Sequence, residues 1–468
     1  MMGRMTNPLA VIGSIWGAAG FSADALDRLV LTGSEPVLPS SFAVGTAAQA
    51  SLAVAALAAT GIGARRNGLR QQVRVDMRHA ALECTGRFEI DGRAPELWDR
   101  LAGLYLCGDD RWVRLHTNFA HHRDGILRLL ALPTGAETSR ETVAAALRDW
   151  QAFAFEDAAA TAGMVVAAVR SFDEWDAHSQ SAAIAAQPLV AIEKIGDAPP
   201  LAWPALTLDA SPLRGLRVLD LTRILAGPVG GRTLAAYGAD VMLVNAAHLP
   251  NIAAIADTSR GKLSALADLR DAAGRDALNA LLRDAHVFIQ GYRPGALAAF
   301  GFGPDAVAML RPGVVMVSLS AYGESGPWAG RRGFDSLVQT ATGLNHAEAQ
   351  AAGAAEPKAL PMQVLDMASG FLMAFGAQAA LLRQQREGGS WHVRVSLART
   401  AQWLRELGRV ASGSAGPKPN FEGLMQTEPS GYGTLTTTRH AAVFSRTPVG
   451  RMRPSMPPGS HPLAWPLA

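Results

Sequence analysis

Leu216-Arg217-Val218-Leu219-Asp220-Leu221 is a short apolar run closed by a turn. A helical stretch from Gly230 to Tyr237 and a second strand-like run, Ala239-Asp240-Val241-Met242-Leu243-Val244, follow it. The order repeats with a helix from Gly274 to Ala285, a strand from His286 to Gln290 and the buried run Gly313-Val314-Val315-Met316-Val317-Ser318-Leu319. Strands alternating with helices of this length predict an α/β fold, a doubly wound parallel sheet with right-handed crossovers. Such sheets bind ligands at the carboxyl ends of their strands. The informative loops are therefore Thr222 to Gly231, Gly291 to Gly295 and Ser320 to Pro327.

Downstream, Pro361-Met362-Gln363-Val364-Leu365-Asp366-Met367-Ala368-Ser369-Gly370 places one carboxylate where an apolar helix begins, with no other acid or base between Lys358 and Arg383. Such a group caps the helix, a common role for Asp, or is kept for chemistry. Residues 42–83 match 362–403 without a gap: Arg66, Gly68 and Val73-Arg74-Val75 meet Arg386, Gly388 and Val393-Arg394-Val395. Thr46 takes the place of Asp366. This pattern predicts a scaffold used twice with one reactive copy.

At 468 residues the chain has room for two to three domains. With 49% hydrophobic and 18% charged residues it reads as globular. The net charge of +3 comes from 43 basic and 40 acidic residues. No basic run or aromatic-basic interleaving points to nucleic acid. Cys84 and Cys107 make no disulfide framework and have no zinc spacing, which predicts a cytoplasmic protein without a metal. Leu9 to Phe21 is apolar behind Arg4 but lacks a small-residue cleavage site. Phe42 to Ala64 is uncharged over a membrane-spanning length. Its twin at 362–382 carries Asp366 and is rich in Gly and Ala. Close-packed buried helices, with no membrane partner, are therefore expected.

The stretch 201–214, with two prolines and little periodicity, reads as the main linker. Before it, residues 85–200 predict a smaller α+β domain. This contains a hairpin from Tyr105 to Leu115 turning at Gly108-Asp109-Asp110 and helical stretches around Asp124 to Leu132 and Arg140 to Gly163. In the tail, 412–468, Pro and Gly recur; it reads as a strap over the domains or a partly disordered end.

Several local patterns coincide in order: Val218-Leu219-Asp220-Leu221 then Leu225-Ala226-Gly227-Pro228, Gly238-Ala239-Asp240-Val241, Arg260-Gly261-Lys262, Tyr292-Arg293-Pro294-Gly295, Tyr322-Gly323-Glu324-Ser325-Gly326-Pro327, Gly333-Phe334-Asp335 and Leu365-Asp366. Over residues 213–410 this series resembles the family III CoA transferases, which also include the 2-methylacyl-CoA racemases. The resemblance implies a Rossmann-like large domain over 215–411 carrying the nucleophile Asp366, and in 1–84 a partial family copy lacking one. It also implies a homodimer or an internal pseudo-dimer.

By position it assigns CoA contacts to Leu225, Ala226, Arg260, Lys262, Tyr292, Arg293, Tyr322 and Gly323, with Lys262 and Arg293 as the phosphate ligands. CoA enters as a substrate, with an acyl-CoA and a carboxylic acid as reactants and no tightly bound cofactor. A carboxylate ionised at neutral pH can attack a thioester carbonyl and form a covalent intermediate. Three family cationic or polar positions are altered here, at Asn245-Ala246, Leu263 and Ala298-Ala299. Racemases of the family carry Gly-His-Asp where this chain has Gly333-Phe334-Asp335. Phenylalanine carries no proton, which favours the transferase over the racemase. A noncatalytic CoA-binding homologue is the third reading.

Overall fold

A computed structural model describes residues 7–450 and 453–466; Arg4 lies outside the described residues. After a helix at Pro8–Ala18 comes a βαβ unit: β1 (Leu29–Thr32), α1 (Val44–Asn67) and β2 (Val73–Asp76), the strands pairing in parallel. The smaller domain follows. Its antiparallel sheet consists of Gly103–Leu106, Trp112–Leu115 and Val166–Ala168, and the first two strands form the expected hairpin, with Asp110 in the left-handed turn at φ 55°. The helical stretch 140–163 is two helices, Arg140–Leu147 and Ala152–Thr161.

The large sheet comprises β3 (Ala191–Gly196), β4 (Arg217–Leu221), β5 (Asp240–Asn245), β6 (Lys262–Leu266), β7 (Val287–Gln290), β8 (Val315–Ser320) and β9 (Ser390–Ser396). Its order is β6-β5-β4-β7-β8-β9-β3, parallel except for β3. This is the doubly wound α/β sheet expected, with two additions. Strand β6 was not foreseen, because Lys262-Leu263-Ser264-Ala265-Leu266 gives only a short, half-polar run. Strand β3, on the smaller-domain side of the boundary at 200, belongs to the large sheet, where it caps the edge beyond β9 as an antiparallel strand.

Three helices matter for the site: α2 (Ala226–Ala236) after β4, α3 (Asp335–Ala341), and α4 (Val364–Glu387) before β9. Helices α1 and α4 pass the length and hydropathy test for a membrane span, yet 89% and 100% of their apolar windows are buried within the protein. They are core helices packed on each other, and Gln378 Nε2 donates to the Ala55 carbonyl across the contact. Helix α2 also lies close against α4: a Cβ at Gly370 would lie 2.5 Å from the Ala226 carbonyl of α2.

The first unit parallels the later one closely. Both long helices have 24 residues, non-helical N-cap residues of similar conformation (Ala43 at φ −76°, ψ 59°; Gln363 at φ −80°, ψ 63°) and a glycine C-cap at positive φ. The tail also forms strands. Met425–Ser430 and Gly433–Thr438 pair with each other and with Phe88–Ile90, and β10 (Ala442–Phe444) runs antiparallel to β2. Sheet β1-β2-β10 thus repeats the order and directions of β8-β9-β3.

Candidate active site

Asp366 is the third residue of α4 and 6% exposed. It does not cap its helix: Gln363 is the N-cap residue and makes no side-chain cap bond. The cap comes from another segment. Asp335, at the start of α3, accepts the Asp366 main-chain N–H on Oδ2 at 2.9 Å and the N–H of Leu365 as well. Gln339, one turn on, donates to Asp335 Oδ1, and Gln339 Oε1 in turn accepts from Asn345 Nδ2 and the Leu360 N–H, each at 3.0 Å. Four backbone N–H groups at a helix start lack partners and carry partial positive charge. Asp335 takes that role and frees Asp366, whose carboxyl accepts no hydrogen bond and pairs with no cation among the described residues.

This arrangement sets the electrostatics. Burial, then the neighbouring Asp335, pushes the Asp366 carboxyl well above the usual range. Burial raises Asp335 to about 6, against the pull of the two N–H donors, Gln339 and Arg114. Two acids thus share a buried site, and Asp335 is the one whose charge hydrogen bonds support.

The residues expected to hold CoA separate into two groups. Leu225 and Ala226 start α2 at the carboxyl end of β4, and Ala226 lies against Gly370, one turn beyond Asp366. Tyr322 and Gly323 follow β8. The Gly323 N–H is held by Ser320 Oγ at 3.1 Å, and Tyr322 is buried edge-on against Trp328. The smaller domain locks this loop through Gln180, which bonds the Tyr322 and Ser325 carbonyls and the Trp328 N–H. Tyr292 is half-buried after β7, and Arg293 is exposed with no ion pair or side-chain hydrogen bond among the described residues.

Lys262 and Arg260 lie inside the protein. Lys262 Nζ binds Asp220 Oδ2 and the Pro228 carbonyl, each at 2.8 Å, with both side chains fully buried beneath α2. A Cβ at Gly231 would meet this pair, so α2 lies directly on it. Arg260, 2% exposed, pairs with Asp257, which also binds Arg232 and through it Glu83 of the first unit. Both cations thus pair with buried carboxylates inside the protein, and Arg260 Nη1 stays buried without a hydrogen-bond partner.

A small cavity lies at the carboxyl ends of β4 and β5, bounded by Thr222, Arg223, Pro228, Leu243, Ile252 and Ile255. Other side chains near the carboxylate pair come from the smaller domain and carried no local sequence signal. The His116 ring stacks on Phe334, centroids 3.8 Å apart, and His122 Nε2 lies 3.2 Å from Arg332. Burial drives both imidazoles down to about 3, so both are neutral. Asp335 stood in the quoted Gly-Phe-Asp pattern but was not assigned a role. Among the described residues no group of three or more His, Cys, Asp or Glu could hold a metal ion.

On a core helix of a mostly parallel α/β sheet, beside the strand-end loops, the site thus holds a buried acid that has neither a hydrogen bond nor an ion pair on its carboxyl among the described residues. Residues 213–447 match the family model for CoA-transferase family III, and the chain belongs to that family. It is similar to an acyl-CoA transferase of Gibberella moniliformis, with 29% identity over 70% of this chain and 64% of that protein. It is also similar to a probable fatty acyl-CoA transferase of Mycobacterium tuberculosis, with 33% identity over 45% of this chain and 58% of that protein. The chain thus spans less than two thirds of the length of these relatives. A crystal structure of a hypothetical protein from M. tuberculosis aligns with 32% identity over 42% of this chain and 58% of that one, at a TM-score of 0.38.

Proposed function

We propose that the protein moves CoA from an acyl-CoA thioester to a carboxylic acid, with Asp366 as the covalent nucleophile. The observation that carries this reading is the free carboxyl of Asp366 beside a backbone that Asp335 has already satisfied. An Asp366 oxygen attacks the thioester carbonyl, the C–S bond breaks, and CoA leaves as thiolate from a mixed anhydride. The thiolate then attacks the aspartyl carbonyl, releasing the donor acid and forming aspartyl-CoA. An acceptor carboxylate opens that thioester to a second anhydride, and the returning thiolate attacks its acyl carbon, regenerating Asp366. Thioester energy is conserved without ATP.

Leu225, Ala226, Tyr292, Arg293, Tyr322 and Gly323 are the CoA contacts of this reading. Phe334 in place of a histidine, stacked on a neutral His116, supports transfer over racemisation, because neither ring supplies a proton at neutral pH. The two buried free thiols suit a reducing compartment. We also read the first βαβ unit as a copy of the later one: Glu35 accepts the Thr46 N–H at 2.7 Å, as Asp335 accepts that of Asp366. Thr46 cannot form the anhydride, so each chain would hold one nucleophile.

The test is capture of the intermediate. Incubation with acyl-CoA donors and hydroxylamine or borohydride should leave a modification at Asp366, located by mass spectrometry. CoA binding with neither adduct nor exchange would sink the reading in favour of a noncatalytic homologue.

A further inference from the structure

Three arginines lie around the strand-end loops without an anion. Arg293 is exposed and pairs with nothing among the described residues. Among the described residues, Arg223 donates only to the Pro250 carbonyl and lies over the Phe119 ring, and its Nε is buried without a partner. Among the described residues, Arg332 makes its one side-chain hydrogen bond to His122. Arg332 and Arg293 are close enough to repel, and His121 feels both Arg332 and Arg223. Holding cations together without a counter-charge, two of them (Arg223 and Arg332) half-buried, is unfavourable. A ligand anion would relieve it.

Arg332 is set apart from the other two by position and support. It precedes Asp335 by three residues, so at most about 10 Å of backbone separates it from the residue that caps the nucleophile's helix. Between them Phe334 lies flat on His116, with Phe119 and His122 at ring distances of 6.2 and 6.1 Å. This is an aromatic floor leading from the carboxylate pair to a guanidinium. His122 is 4% exposed; its Nε2 accepts from Arg332, while its Nδ1 is buried with no partner. A neutral imidazole therefore orients the cation without cancelling its charge.

Resting on the transferase reading, we propose that Arg332, positioned by His122, binds the distal carboxylate of a short dicarboxylic acyl group whose carbon chain lies on Phe334. A planar guanidinium pairs bidentately with a carboxylate.

The test compares dissociation constants of succinyl-CoA, butyryl-CoA and free CoA, measured on the full chain carrying Asp366→Asn so that no group is transferred. Succinyl-CoA should bind about tenfold or more tighter than butyryl-CoA, which has the same carbon count. Arg332→Gln should abolish that ratio while leaving free CoA unchanged, Arg332→Lys should restore part of it, and His122→Gln should reduce it. Equal affinity for the two thioesters in the parent would overturn the proposal. So would an equal loss for all three ligands in Arg332→Gln, which would make Arg332 a phosphate ligand. Absence of an Asp366 adduct in the capture experiment would remove the transferase reading and leave these affinities standing.

Discussion

Asp335 accepts the main-chain N–H of Asp366 at 2.9 Å, so two carboxylates meet at one helix start with only the first of them hydrogen-bonded. The cap is tertiary, delivered from α3 to α4, and the nucleophile candidate keeps both oxygens for substrate at the cost of lying beside a like charge.

That relationship predicts the pH profile. The proposed reaction needs Asp366 deprotonated, and burial with Asp335 raises its pKa. The acid limb of kcat/KM should therefore lie above the ordinary aspartate range, and Asp335→Asn, which removes the neighbouring charge, should move it toward acid. A limb unmoved by Asp335→Asn would show that Asp335 does not govern the nucleophile. The same variant loses part of the cap and should cost about 1–2 kcal/mol in denaturant melts.

Stability should oppose activity at Asp366. Its folded pKa exceeds the unfolded value of about 3.9, so the folded state binds the extra proton. The stability this contributes is present below the unfolded value and is lost as pH rises through the folded one. Relative to Asp366→Asn, the wild-type protein should thus weaken from about pH 4 upward. At neutral pH the inactive variant should be more stable by about 0.5–2 kcal/mol, read from urea unfolding at several pH values.

Lys262→Met should destabilise by about 3–5 kcal/mol, because it leaves Asp220 charged and buried without its partner. Adding Asp220→Asn should recover much of the loss. If Lys262 instead reached a CoA phosphate, the folded double variant would show a weaker salt dependence of CoA binding; no such change is expected.

Gly370→Ala should cost about 1–3 kcal/mol, since its methyl would meet the Ala226 carbonyl at 2.5 Å and the backbone cannot step aside cheaply. The start of α2 moves with it, so KM for acyl-CoA should rise. A melting temperature and a KM both equal to wild type would show that the α2–α4 contact is not tight.

The alternation of strand and helix from Leu216 to Leu319, the isolation of Asp366 and its contrast with Thr46 were legible in the sequence. Each rests on local periodicity or on the absence of other charges nearby in the chain. Strand β6 and the edge strand β3 were not legible, because their short, partly polar segments become strands only when a neighbour supplies the hydrogen bonds. The roles of charged side chains were the least legible. Lys262 and Arg293 look alike in sequence, yet one lies buried on Asp220 and the other is exposed. By itself the sequence determined which residue types were available and the order of the elements that carry them. Tertiary structure decided which acid caps the helix, which is left free, and which cations face solvent, since burial and pairing arise between segments far apart in the chain.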